Sequence, residues 1–580
     1  MSKKKKNKKN KKKFGMLFFI FILIIILIFM FDQSIIKTPK EILTTKTMYL
    51  ASSTNEVTIY SLEDDVLVKK DSLPRGTKVT TKNNTITYDD VIYKEIYLDD
   101  KIYYTLSNNL ESNKKKVVKE NNIYVKIPTT ILEDNDSSKI VSLADKSEEL
   151  EVLDYNYLDK DGYVDTYQIK QGDKEGYIYG KYLSYTKEDA SLNYNQDMYD
   201  SIYSKVSNSF GGGDAGKLNY YPHEKVSFED NVMPRSVYSL YLNCSSEVIN
   251  NIDSYIEFAR DTKINSFVVD IKDNESPAYP ADTFKSLSPT NYEHAINSYD
   301  KYREAITKLK DTGFYVIGRI TTFKDSYYVK DNPNTAIMDK NTGKPYSHNG
   351  SYWPSAYDRD VWYYNVSLAK EAVEEFGFNE INFDYVRFPD RMQSIENKID
   401  LRNIYNEDKT QAIERFVRYA TDEVHKLNAY VSIDVFGETT NGTYTTAYGQ
   451  YWPAISNIAD VISGMPYPDH FSDGYYGISK PWNNPYKLLN TWGSFAIDRQ
   501  KETMSPAIVR TWIQAYDVMK YVDANGIKYG AKEIEDEIRA LYDSGLDGGY
   551  ITWLSNSSIE KYKTQKSAFQ IDYGSEYRDE

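Results

Sequence analysis

The sequence predicts an α/β protein whose main body is a (β/α)8 barrel. Three observations predict it. From Ser236 onward, short apolar runs alternate with helix-like stretches, the pattern of a parallel sheet. Eight such runs fall within roughly 320 residues, the span of a β/α barrel with inserted loops. The run Glu380–Pro389 (E-I-N-F-D-Y-V-R-F-P) places Ile381, Phe383 and Tyr385 on one face and Asn382 and Asp384 on the other, because side chains alternate along a strand. In a barrel the apolar face packs on the outer helices and the polar face looks inward. Asp384 then stands near the carboxyl end of the fourth strand, where barrel enzymes keep their active sites.

Taken in order, the chain begins with a cytoplasmic polylysine segment, residues 1–13, holding nine lysines. Residues 14–31 (F-G-M-L-F-F-I-F-I-L-I-I-I-L-I-F-M-F) carry no charge and approach the ~20 residues that span a bilayer. The lysines mark the cytoplasmic side, so this segment predicts a single-pass anchor in the cytoplasmic membrane with the C-terminal bulk outside. A cleaved signal peptide is the competing reading, but D-Q-S-I-I-K after Phe31 offers no small-x-small site.

Residues 32–55 read as a spacer. Two sets of short β-rich runs follow, over 56–112 and 118–186, each close enough in spacing for a small barrel. They end alike, K-I-Y-Y-T-L-S-N-N-L against E-G-Y-I-Y-G-K-Y-L. The pair resembles a tandem of bacterial SH3-like domains, the kind that accompanies cell-wall enzymes; spacer modules without a ligand are the plainer alternative. Residues 187–233 read as a linker containing S-F-G-G-G-D-A-G-K. It is no phosphate loop, since Leu218 follows Lys217. Three consecutive glycines there predict the preferred protease site.

The net charge is −14, and removing the lysine-rich start leaves about −23 on the remainder, which argues against binding nucleic acid through its backbone. The single Cys244 excludes an intrachain disulfide and a cysteine zinc site. An exported chain without disulfides suits a Gram-positive-type surface. The five histidines are scattered without H-E-x-x-H, there is no G-x-S-x-G elbow, and no G-x-G-x-x-G follows a strand. No metal and no cofactor are expected.

The barrel spans residues 234–572. Strand one is Val237–Leu242, strand two Ser266–Asp273, strand three Tyr315–Thr321, strand four the run that opens at Glu380. Strand five is Val431–Glu438, strand six Val461–Tyr467, strand seven Ala507–Gln514 and strand eight Gly549–Leu554. Helical patterns lie between most of them, as at 302–312, 359–375 (closed by Gly377), 411–427 and 532–544. Alternation gathers Asp270, Lys272, Arg319, Asn382, Asp384, Asp434, Tyr467, Arg510, Trp512, Gln514 and Trp553 at the carboxyl end. Arg387, Glu438, Asp469 and His470 lie in the loops beyond. Carboxylates, arginines, amides and tryptophans at one mouth are what a sugar site needs. Each also has a plainer use: Asp384 paired with Arg387 or Arg319, Asp270 with Lys272, and the tryptophans as barrel filling.

V-D-I-K-D, F-D-Y-V-R-F-P, D-V-F-G and R-T-W-I-Q, with the Trp near the last strand, resemble a bacterial glycoside-hydrolase TIM-barrel family, long catalogued as a domain of unknown function and distantly similar to α-amylase-type barrels. The resemblance covers about residues 235–572. It implies Asp384 as nucleophile and an acid/base at the end of strand five, either Asp434 or Glu438. Arg387 follows Asp384, whereas the amylase-type arginine precedes its aspartate. Substrate contacts are expected from Asp270, Lys272, Arg319, Asn382, Arg387, Tyr467, Asp469, Arg510, Trp512, Gln514 and Trp553. Two functions fit: an anchored extracellular hydrolase of a cell-envelope or exopolysaccharide glycan, or a non-catalytic glycan-binding or envelope-assembly protein.

Overall fold

The computed structural model describes residues 45–573, apart from 53–55, 64, 100, 119–121, 156–163 and 519–526. The expected anchor, residues 14–31, lies outside the described residues. Among the described residues no helix is long and apolar enough to cross a membrane.

The chain divides into two compact units, one holding residues up to Ile123 with 151–170 and 179–181, the other holding 124–150, 171–178 and the chain from Tyr182 onward. In the first unit, strands between Lys46 and Glu111 pair antiparallel through hairpins such as Glu56–Glu63 with Val66–Pro74. Its core is Leu50, Val57, Ile59, Val79 and Ile96. Val57 and Ile59, two apart on one strand, share its dry face, as alternation along a strand requires.

The second unit is built on the barrel. Its strands are β1 (Val237–Leu242), β2 (Ser266–Asp273), β3 (Tyr315–Thr321), β4 (Glu380–Asp384), β5 (Tyr430–Phe436), β6 (Val461–Met465), β7 in two runs (Ile508–Val509 and Thr511–Gln514) and β8 (Gly549–Trp553). All pair in parallel, from β1 with β2 round to β8 with β1. The ring is interrupted only at Arg510: the first run of β7 pairs with β6 and the second with β8. A helix follows each strand: α1 (Ile252–Arg260), α2 (Tyr299–Asp311), α3 (Arg359–Phe376), α4 (Lys409–His425), α5 (Trp452–Ser456), α6 (Pro485–Lys501), α7 (Ala531–Asp543) and α8 (Ile559–Gln565).

Local chemistry places β4. Asp358 caps α3 by accepting the N–H groups of Asp360 and Val361. Gly377 ends it at φ +66°, a left-handed conformation that glycine takes at little cost. The chain turns into E-I-N-F-D, all five residues buried. Phe383 faces outward, its ring edge-on to Phe416 of α4 at 5.7 Å. Burying one such side chain contributes about 1.5–3 kcal/mol, so a one-residue slip that turned Asn382 and Asp384 outward is disfavoured.

Residues 187–233 differ from the expected open linker. Helices form at Lys187–Ser191 and Gln196–Ser201, and the glycine run lies against the barrel. The Gly212 carbonyl accepts the N–H of Thr410, and Lys409 reaches the Gly211 carbonyl. A Cβ on Gly212 would stand 1.9 Å from the Thr446 carbonyl oxygen, and Gly213 has φ +137°. These glycines permit close backbone approach rather than freedom, which corrects the expectation of a cleavable hinge. The hairpin between Thr129 and Ala144 packs on α4, with Ser138 donating to Glu423 at 2.6 Å.

Candidate active site

Four strands bring their last inward residues together. Arg319 on β3 holds Asp270 of β2 with Nη1 (2.7 Å) and Asp384 of β4 with Nη2 (2.6 Å). Asp273 stands 3.5 Å from the same Nη1. The guanidinium lies against the rings of Tyr241 and Trp553, 5.6 and 5.3 Å from their centroids. The arginine paired with Asp384 therefore comes from the neighbouring strand, not from Arg387.

Asp384 ends β4. Its Oδ1 accepts the N–H of Tyr385 at 2.6 Å, and Tyr385 has φ +53°. A left-handed tyrosine is uncommon, and such strain gathers at working sites. The turn sends Tyr385 towards Trp353 and Arg387. Arg387 lies over the rings of Trp353, Tyr385 and Phe436 at 4.4–5.1 Å and donates to the Phe388 carbonyl.

Asp434 of β5 is the next residue up from the paired Phe383 and Ile433, so it stands beside Asp384 on the adjoining strand. Its Oδ1 accepts from Asn382 and from the Trp512 indole N–H, both at 2.8 Å. Its Oδ2 is buried and without a partner. Burial first, then the Asp384 charge, push the Asp434 carboxyl well above the usual carboxylate range; the Asn382 and Trp512 bonds pull weakly the other way. Glu438, in the turn after β5, is half-buried and accepts the Tyr448 hydroxyl.

The other predicted residues divide. Asn382 and Trp512 support Asp434. Trp553 is half-buried beside Arg319. Gln514 accepts the N–H of Asp469, and Asp469 accepts the Tyr516 hydroxyl at 2.6 Å, which orders the loop carrying Tyr467 and His470. Three expectations are overturned, the first being Asp270, which is 1% exposed with its carboxylate oxygens bonded to Tyr241 and Arg319 rather than open to a sugar. A bulge at Ile271 breaks the β2–β3 register between Asp270 and Lys272, so Lys272 pairs beside outward-facing Ile320. It bonds Asp325 at 2.7 Å, both side chains fully buried, and is no sugar ligand. Arg510 does face inward, but at the amino end, where it clamps Glu380 at 2.7 and 2.9 Å. Tyr241 was missed: V-Y-S-L-Y puts it on the inward face with Val237, but an aromatic strand gave no polar signal. Among the described residues no group of carboxylates, histidines and cysteine is arranged to hold a metal.

This is a β/α barrel with paired carboxylates at its carboxyl end. Residues 239–559 match the family described as "Putative glycosyl hydrolase domain", more than half of the 580-residue chain. The chain belongs to that family. No curated protein matches it. Among solved structures it is similar to a hypothetical protein from Ruminiclostridium thermocellum (29% identity over 34% of this chain and 97% of that one, TM-score 0.29). It is also similar to the PgaB (BpsB) glycoside hydrolase domain of Bordetella bronchiseptica (12% identity, 59% and 100% covered, TM-score 0.42). A third is the maltogenic α-amylase AmyB of Thermotoga neapolitana (10% identity, 54% and 66% covered, TM-score 0.35). The family assignment rests on the sequence match.

Proposed function

We propose that this barrel hydrolyses a glycosidic bond with Asp384 as nucleophile and Asp434 as the proton donor. One observation carries the reading: neighbouring strand ends hold two carboxylates in opposite surroundings. Asp384 is bridged to a guanidinium and a backbone N–H, whereas Asp434 has no cation, is buried, and keeps one oxygen free of partners. Environments that push two carboxyl groups apart divide them into anion and acid. Glu438, on a longer side chain in the next turn, is the other proton donor within the same reading.

The substrate we infer is a cell-envelope or exopolysaccharide glycan. The enzyme would be held outside the membrane by residues 14–31, and the two β-rich modules would act as SH3-like wall contacts. The uncharged run after nine lysines supports the anchor, and the strand-rich first unit supports the modules.

The test is turnover of purified wall and capsular glycans by the soluble fragment and its variants. Asp384→Asn should lose about 10³-fold or more in kcat with an unchanged melting temperature. Asp434→Asn should most harm substrates with poor leaving groups, which need protonation. Activity surviving in Asp384→Asn would end the nucleophile assignment, and activity surviving in Asp434→Asn and Glu438→Gln as well would favour a binding role. A reporter fused after residue 40 should be extracellular; a mature N-terminus beyond residue 31 would remove the anchor.

A further inference from the structure

We propose that Arg387 and Lys324 form a subsite for an anionic group, a carboxylate or a phosphate, on the sugar that Asp384 attacks or on its neighbour, so that the substrate is an acidic glycan. The inference deepens the proposed hydrolysis and rests on Asp384 as its nucleophile.

The subsite begins at the residue after Asp384. The pairing of β3 with β4 runs on past both strand ends: Thr322 donates its N–H to the Asp384 carbonyl at 2.8 Å, and Phe323 donates to that of Tyr385 at 3.3 Å. This carries Lys324 to the Tyr385 ring, 5.0 Å from its centroid. Arg387 stands 4.8 Å from the same centroid, so the two cations lie no further apart than the sum of those distances. The turn that follows Tyr385 is pinned. Gln450 Nε2 donates to the Val386 carbonyl at 3.2 Å, and Phe388 donates its N–H to the Tyr448 carbonyl at 2.9 Å. The strained conformation of Tyr385 is thus held from both sides.

Neither cation is neutralised. Among the described residues the Arg387 side chain makes one hydrogen bond, from Nη1 to the Phe388 carbonyl at 3.0 Å, and no ion pair; Lys324 Nζ makes neither. Arg387 is only 6% exposed, and withdrawing a guanidinium from water without an anion is costly. The ring faces of Trp353, Tyr385 and Phe436 offset part of that cost but carry no charge to balance it. The acids nearby are committed elsewhere. Against burial, Arg387 and the His348 bond hold the Asp390 carboxyl low, yet Asp390 bonds His348, at 3.0 Å, and not the guanidinium. Glu438 accepts the Tyr448 hydroxyl. Nε and Nη2 of Arg387 are left over, and neither is sealed from solvent. Two such nitrogens match two oxygens of a carboxylate or phosphate, and the Lys324 ammonium adds a point charge beside them.

The readout has to be local, because the nine lysines of residues 1–13 also attract polyanions. The full chain is titrated with purified wall and capsular glycans, polygalacturonate and phosphomannan, then pulsed with an acetylating ester. Mass spectrometry reads how far each glycan shields Lys324. Every glycan is used untreated, with its carboxyl groups reduced to alcohols, or stripped of phosphate esters by phosphatase. At least one untreated glycan should shield Lys324, and about tenfold more should be needed once its charge is removed. Sensitivity to reduction marks a carboxylate, and sensitivity to phosphatase marks a phosphate. Arg387→Gln should raise the half-shielding concentration about ten- to a hundredfold, and Arg387→Lys less. The losses from Arg387→Gln and from discharging the glycan should not add, since both remove the same ion pair. The wild-type arm decides the matter should a variant not fold. No shielding by any anionic glycan, equal shielding by the treated forms, or additive losses would overturn the proposal. Turnover of a glycan that does not shield Lys324 would overturn it and leave the proposed hydrolysis standing. Shielding that follows charge, without turnover, would leave the subsite and remove the hydrolysis.

Discussion

Trp512 joins the barrel's packing to its chemistry. It is 1% exposed, lies edge-on to Tyr241 and Trp553 at 6.0 and 5.7 Å, and gives its indole N–H to Asp434 Oδ1. That N–H is one of two donors favouring the charged form of Asp434. Trp512→Phe keeps a ring in the core and removes the donor. The proton should then be held more tightly, moving the basic limb of the kcat/KM pH profile upward. Stability should fall by about 1–3 kcal/mol, measured by urea unfolding. A basic limb left in place would mean that Asp434 is not the titrating acid, and the role would pass to Glu438.

At the scale of the element, alternation is reliable about faces and silent about height and irregularity. Strand four read correctly as far as Asp384, where it ends without a bulge: Ile381 and Phe383 go out, Asn382 and Asp384 go in, but Tyr385, expected on the outer face, lies in the left-handed turn beyond the strand. Strand two read correctly to Asp270 and failed at Lys272, since the extra residue at Ile271 moves everything after it to the other face. Arg510 has the predicted parity but sits one layer too low, opposite Glu380. The parity of Glu380 with Asn382 and Asp384 was the available signal for that buried pair. Arg319 was found as an inward residue, but which acid it serves depends on cross-strand register, and a single strand does not encode that.

Two predictions belong to this scale. Lys272→Met leaves Asp325 buried without its cation, beside the neutral donors Asn291 and Tyr364. It should cost about 3–5 kcal/mol, measured by denaturant unfolding, with kcat of the folded fraction unchanged. A fall in kcat at full folding would return Lys272 to the site. Gly212→Ala should lower the melting temperature, because the new methyl meets the Thr446 carbonyl oxygen at 1.9 Å. Limited proteolysis of wild type should spare residues 211–216; preferential cleavage there would show that the segment does not pack as described.

For the whole molecule, the distribution of buried acids sets the pH at which the fold is firmest. Burial raises Asp358 from 3.8 to about 6, Asp270 from 3.8 to about 7 and Glu537 from 4.5 to about 8. In the folded chain these groups keep protons that the unfolded chain has already released. Between roughly pH 4 and pH 8 the native state therefore binds more protons than the unfolded state, and stability falls as pH rises. The contribution is fully present below the unfolded values and lost through the folded ones. Asp517 works in the other direction, held at about 2 with Lys561 and Lys528 as partners, so it weakens the fold only in stronger acid. Melting temperatures should be highest near pH 5 and lower by several degrees at pH 8, the shift for each kcal/mol being smaller than the roughly 2–4 °C of a 150–250-residue domain because the unit is larger. Glu537→Gln tests the cause. Its amide oxygen can still accept the Gln514 N–H, which Glu537 takes at 3.0 Å, but the group no longer titrates. The decline between pH 5 and pH 8 should become shallower in that variant, read by scanning calorimetry at matched ionic strength. A wild-type profile that rises across this range, or a slope identical in Glu537→Gln, would show that these buried carboxyl groups do not govern the stability of the barrel.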